Sequence, residues 1–182
     1  MSMRVAVVHD ALGEAARADE VDVLDQVRLV SDALAAAGHE VVRLEADLDL
    51  AGFARELRQA APALVFNLVE ALGGSARLIH VLPALLEEIG IPFTGSGSEA
   101  LFVTSNKLLA KRLLRSADLP TPDWVDEPSA SALGETSRRW IVKPVWEDAS
   151  VGIDDSAVVE GGAAQVLAGR RPNAKGPLFA EA

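Results

Sequence analysis

Lys143 stands at the end of an apolar run, "WIVKPVWEDASVGI", and is followed by a short loop tipped with Ala149, Ser150 and Gly152. An ammonium at the end of a buried strand must reach water or an anion, because burying it unpaired is costly. Small residues at the loop tip let the backbone approach a ligand closely, so that successive N–H groups can converge on an anion. A point charge beside a cradle of amides is one way proteins hold nucleotide phosphates. An ordinary hairpin with a surface lysine would give the same stretch, and these residues alone leave both readings open.

Other groups that could do chemistry are sparse. Lys107 and Lys111 lie four residues apart, a spacing that also suits the solvated face of a helix. Glu20 and Asp22 are acids at the start of a helical pattern, where carboxylates are favourable beside the N-terminal dipole. His9, His39 and His80 have no carboxylate or histidine partner at metal-binding spacing, so no metal ligands are assigned. His9 is the one to follow, because it sits beside Asp10 at the carboxyl end of a strand. There are no cysteines, which removes disulfides, zinc thiolates and a cysteine nucleophile.

The composition narrows the class further. Of 182 residues nearly half are apolar and a quarter charged, as in a globular protein. A net charge of −10 argues against a nucleic-acid partner, whose phosphates need a basic face, and against an anionic membrane surface. The N-terminal "MSMRVAVVHD" has only a short apolar run, Val5 to Val8, and no segment approaches a bilayer span. A cytoplasmic protein is expected.

These groups must be positioned by alternating strands and helices. "MRVAVVH" reads as a buried strand, and "DALGEAARADE" as a polar loop. Val23, Val27, Val30 and Leu34 follow at helical spacing, with Gly38 as the C-cap. "EVVRLEA" is a second strand, "DLAGFARELRQAA" a helix capped by Asp49, and "PALVFN" a third strand. Residues 76 to 90 predict a third helix, in which Pro83 marks a kink or the first turn, and "IPFTG" a fourth strand. The alternation implies an α/β parallel sheet, with ligands beyond the carboxyl ends of its strands. No G-x-G-x-x-G pattern follows the first strand and no Walker-type loop occurs anywhere.

After residue 104 the character changes. Ser105 is a plausible N-cap for the basic amphipathic helix "NKLLAKRLLRSADL", which "PTP" stops. Residues 126 to 137 read as an exposed connection. Strands at 139 to 145 and 156 to 159, a helix at 162 to 168 and a last strand "PLFAEA" suggest an antiparallel α+β lobe. Two domains are expected, residues 1–103 and 104–182.

Taken in order, four segments resemble the ATP-grasp superfamily, and within it the D-alanine–D-alanine ligases: "ALVFNLVEALGG", "EEIGIPFTGSGSEALFVTSNKLLAKRLLRSADLPTPDW", "WIVKPVWEDASVGI" and "PLFAEA". The resemblance implies a parallel-sheet pre-ATP-grasp domain followed by an incomplete ATP-grasp lobe. It implies ATP as the nucleotide, with Lys107 reaching the phosphates and Lys143 the α-phosphate and adenine edge. Glu147, Ala149, Ser150, Val151 and Gly152 match the loop that closes over the β- and γ-phosphates, Ser150 also meeting the substrate. Glu181 matches the acid that accepts from the adenine amino group, with the Ala182 backbone beside it. Glu20 matches the glutamate that holds the first amino acid's amino group, with Asp22 as competitor. Small-molecule substrates, and a homodimer like many relatives, are also implied.

The chain departs from the family in two places. Glu70 stands where a histidine would fall, and a carboxylate there would hold an amine rather than a carboxylate. The acid and amine to be joined therefore stay open, D-alanine included. The family's Mg2+ ligands and acyl-phosphate arginine match nothing before Ala182, so they are expected in a further C-terminal part and the chain is expected to be a fragment, inactive alone. The implied activity is an ATP-dependent carboxylate–amine ligase working through an acyl-phosphate. A non-catalytic nucleotide- or amino-acid-binding module is the alternative.

Overall fold

The computed structural model describes residues 1–12, 18–126, 137–147, 153–168 and 176–182, with backbone alone at 18–21, 163–164 and 168. The chain forms two compact units, Met1–Phe102 and Val103–Ala182.

In the first unit, β1 (Arg4–Asp10), β2 (Glu40–Ala46) and β3 (Leu64–Asn67) make a parallel sheet in the order β2-β1-β3. The unbroken run Val5, Ala6, Val7, Val8 suits the central strand, which is covered on both faces and buries all four residues. Ala6 and Val8 join Val65, Val69 and Leu72 in a core closed by Phe53 and Leu57 of α2 (Leu50–Ala60) and by Leu82 and Leu86 of α3 (Val81–Ile89). Val5 and Val7 point to the opposite face, where α1 (Ala18–Ala36) supplies Val23 and Val27.

Local signals explain most of the boundaries. Asp49 caps α2, its side chain accepting from the Gly52 amide at 2.9 Å. Pro83 falls in the first turn of α3, where a missing N–H leaves no bond unmade, and Gly90 ends that helix at φ +78°. The helix expected from residue 76 instead begins as a short 3-10 turn, Ala76–Leu78. The expected fourth strand is reduced to a single parallel bridge between Val65 and Phe93. Pro92 has no N–H to give a ladder, and Gly95 turns the chain away at φ +97°.

In the second unit, β4 (Trp124–Val125), β7 (Leu178–Glu181), β5 (Arg138–Pro144) and β6 (Val158–Gly161) form an antiparallel sheet in that order. Alternation gives the sheet two distinct faces. Trp140, Val142, Val125 and Ala180 pack with Val166 and Leu167 of α6 (Ala163–Ala168). The register places Ile141, Lys143, Phe179, Glu181 and Trp124 on the other face. α4 (Ser98–Ser105) precedes α5 (Lys107–Ser116), whose cap is Asn106 rather than Ser105: the Asn106 side chain accepts from the Leu109 amide at 3.0 Å.

Candidate functional site

Lys143 and Glu181 belong to adjacent antiparallel strands. Lys143 pairs with Phe179, and Glu181 with Ile141 two residues along, so the two side chains meet diagonally on one face. The Lys143 ammonium donates to one carboxylate oxygen of Glu181. Lys111, from α5, donates to the other at 2.5 Å and to the Thr121 hydroxyl at 2.9 Å. Its ammonium also lies 5.3 Å from the centre of the Trp124 ring, over which the Arg115 guanidinium stacks at 4.0 Å.

This corrects the reading of Lys111 as part of a solvated helix face. It is 6% exposed, the one buried residue of α5, while Leu113 and Leu114 lie outward. A lysine tolerates such burial only with a partner for its charge, and Glu181 supplies one. Burial alone would raise the Glu181 carboxyl. Hydrogen bonds from Lys111 and Lys143, with their charges, outweigh that and hold it below the usual carboxylate range. Two ammoniums around one carboxylate leave the cluster one positive charge in excess, which suits an anionic ligand.

Lys107 opens α5 and is tied twice to the segment that follows β5. Its amide donates to the Val145 carbonyl at 3.1 Å, and its ammonium to the carbonyl of Glu147. The lysine thus sits at the root of the segment expected to close over phosphates. Ala149, Ser150, Val151 and Gly152 themselves lie outside the described residues. The Ala182 amide extends the β4–β7 ladder by donating to the Asp123 carbonyl at 2.9 Å.

The substrate-side candidates belong to the first unit. Strand order β2-β1-β3 sets the carboxyl ends of β1 and β3 side by side, with α1 and α3 packing on opposite faces, which makes this the switch point of the sheet. Asp10 ends β1 there and reaches the loop after β3: its carboxylate accepts from the Ala71 amide at 3.1 Å and the Glu70 amide at 3.3 Å. Asn67 braces the same loop by accepting from the Val69 amide at 3.1 Å, while Val69 and Leu72 anchor it in the core. Gly73 and Gly74 complete the turn at φ +56° and +73°. The Glu70 side chain is left exposed at the loop's crest.

Burial pushes the Asp10 carboxyl up. The Ala71 and Glu70 amides act against this, the Glu70 charge adds to it, and the net direction is upward. No local pattern around Asp10 signals this role, because the amides it holds lie 60 and 61 positions away in the chain. His9 turns to an open groove of about 550 Å³ against α1, shared with Arg28, Arg43 and Glu45, and its Nδ1 lies 2.8 Å from the Asp10 carbonyl. Glu20 lies in the first turn of α1 without a described side chain, and Asp22 is exposed on that helix. Among the described residues no group of three or more histidine or carboxylate side chains could hold a metal ion. No helix among them is long and apolar enough to cross a membrane.

No family model matches the chain. It is 32% identical over 133 residues to the D-alanine–D-alanine ligase of Sphingopyxis alaskensis, a match covering 70% of this chain and 41% of that one. The D-alanine–D-alanine ligase of Aquifex aeolicus is 35% identical over 131 residues, covering 69% and 42%. The D-alanine–D-alanine ligase of Bacillus anthracis, solved in complex with ATP, superposes with a TM-score of 0.66 over 99% of this chain and 58% of its own, at 18% identity. The chain is D-alanine–D-alanine ligase-like, of the ATP-grasp superfamily. An uncharacterized protein of Sinorhizobium fredii is similar too, 33% identical over 127 residues, covering 66% of this chain and 38% of its own. The ligase-like chain spans about 40% of the length of these curated relatives. Its likeness to the solved ligases, at such low identity, concerns the fold.

Proposed function

We propose that this ligase-like chain supplies the nucleotide and substrate positions of an ATP-dependent carboxylate–amine ligase. In that reaction a substrate carboxylate oxygen attacks the γ-phosphorus of ATP, giving an acyl-phosphate and ADP. An amine then attacks the acyl carbon, phosphate leaves, and the nitrogen loses a proton to give an amide. The observation that carries the reading is the Lys111–Glu181–Lys143 cluster, with its surplus positive charge, on the same unit as Lys107 at the start of α5.

In this reading Lys143 and Lys107 bind phosphate oxygens, and Glu147 leads into a segment, through Gly152, that keeps water from the acyl-phosphate. Glu181 faces the adenine edge, with Ala182 beside it. The first unit would bring the amino acids, with Glu20 and the exposed Glu70 offered to ammonium groups. Glu70 favours an amine at the loop that Asp10 holds, and so a pair of substrates in which D-alanine is one candidate. Magnesium would offset phosphate charge, and no described residue is assigned to it. The same reading makes it a cytoplasmic enzyme.

The test is calorimetric titration with ATP. Lys143→Ala should weaken binding more than tenfold with the melting temperature little changed, because Lys111 still neutralises Glu181. Unchanged affinity would remove Lys143 from the site. ADP release with a panel of amino acids then separates a ligase from a module that only binds.

A further inference from the structure

Lys111 has no task in the reading above, which gives the nucleotide to Lys107, Lys143 and Glu181. Its placement calls for one. α5 has leucines available to turn inward, yet Leu113 and Leu114 are 46% and 38% exposed and the lysine is 6% exposed. Its ammonium is clamped by Thr121 and Glu181 and roofed by the Trp124 ring, so it has little freedom to reach a ligand. Glu181 is the shared partner, one oxygen to each lysine.

Without Lys111, Lys143 and Glu181 would form a neutral pair, and the attraction of Lys143 for phosphate would be cancelled by its own neighbour. With it, the three groups sum to one positive charge, and Lys143 is the more accessible lysine, its side chain 25% exposed against 7% for Lys111. We propose that Lys111 is a positioning residue of the nucleotide site, one that neutralises Glu181 so that Lys143 meets the phosphates as an uncompensated cation. The inference rests on the nucleotide reading of this cluster and adds a residue that acts only through Glu181.

The charge argument predicts an effect on phosphates and not on the base. The readout is the ratio of adenosine to ATP dissociation constants, with melting temperatures taken alongside. Lys111→Gln keeps a hydrogen-bonding amide and loses the charge; its ratio should fall about tenfold, roughly the worth of one charge several ångströms from a phosphate near a protein surface. Lys111→Arg should restore the ratio to within about threefold of the unmodified chain. The double variant Lys111→Gln with Glu181→Gln should also recover, since Lys143 then has no carboxylate beside it. That variant strands no buried charge, so it carries the test if Lys111→Gln alone does not fold. A ratio unchanged in Lys111→Gln, or ATP and adenosine weakened equally, would overturn the proposal, as would a double variant that fails to recover. An unmodified chain that binds no ATP would overturn the nucleotide reading itself and this inference with it.

Discussion

Asp10 and Glu181 are both half-buried carboxylates at the ends of strands, and their surroundings send them in opposite directions. Asp10, in the first unit, is met by two backbone amides and by the nearby Glu70 charge. Amides carry partial charge only, so burial prevails and the carboxyl is raised from its ordinary 3.8. Glu181, in the second unit, is met by two ammoniums, which outweigh burial and lower it from its ordinary 4.5. The first carboxylate organises backbone and fixes the shape of a loop. The second organises charge and fixes the net sign of a site. A carboxylate's task can thus be read from whether its partners are dipoles or ions.

The contrast breaks most visibly if Glu181 is removed. Glu181→Ala strands Lys111 in the interior and should cost the second unit about 3 kcal/mol by urea denaturation. Asp10→Ala leaves two loop amides without an acceptor and should cost the first unit about 2 kcal/mol. In that variant hydrogen exchange should quicken at Glu70 and Ala71 while the Glu181 neighbourhood stays protected.

The pH dependence sharpens the comparison further. Glu181, lowered by its lysines, contributes stability that is whole above pH 4.5 and is lost as the pH falls through its folded value. Asp10, raised by burial, has the opposite sign: its contribution is whole below pH 3.8 and is lost as the pH rises through its folded value. NMR titration of the two carboxyl carbons should place the Asp10 midpoint above 3.8 and the Glu181 midpoint below 4.5. Equal shifts in one direction would undo the distinction. The smallest effect belongs to a fully solvated pair. Arg28→Ala breaks an ion pair whose side chains are 69% and 73% exposed, and should change stability by less than about 0.5 kcal/mol.

Much of this architecture was legible in residue order. The unbroken Val5–Val8 run announced a buried strand, Asp49 and Gly38 marked helix ends, and Pro83 marked a kink or a first turn, of which the structure has the first turn. The resemblance carried by the segments around Lys107, Lys143 and Glu181 agrees with the relatives and the fold. Other features were not legible. The fourth strand failed because Pro92 gives no ladder hydrogen bond, and β4 is only two residues long, too short for alternation to signal.

Sequence by itself determined which residues share a face, because helix and strand periods are fixed by backbone geometry. It put Lys107 and Lys111 on one side of α5 and separated Lys143 from Trp140 and Val142 across β5. It did not determine which side would be inward, since that depends on what packs there. Lys111 is buried because Glu181, seventy positions away in the chain, has its carboxylate where the ammonium arrives. Asp10 binds the loop after β3 because strand order makes β1 and β3 neighbours. Such pairings bridge long stretches of chain, and only the tertiary structure decided them.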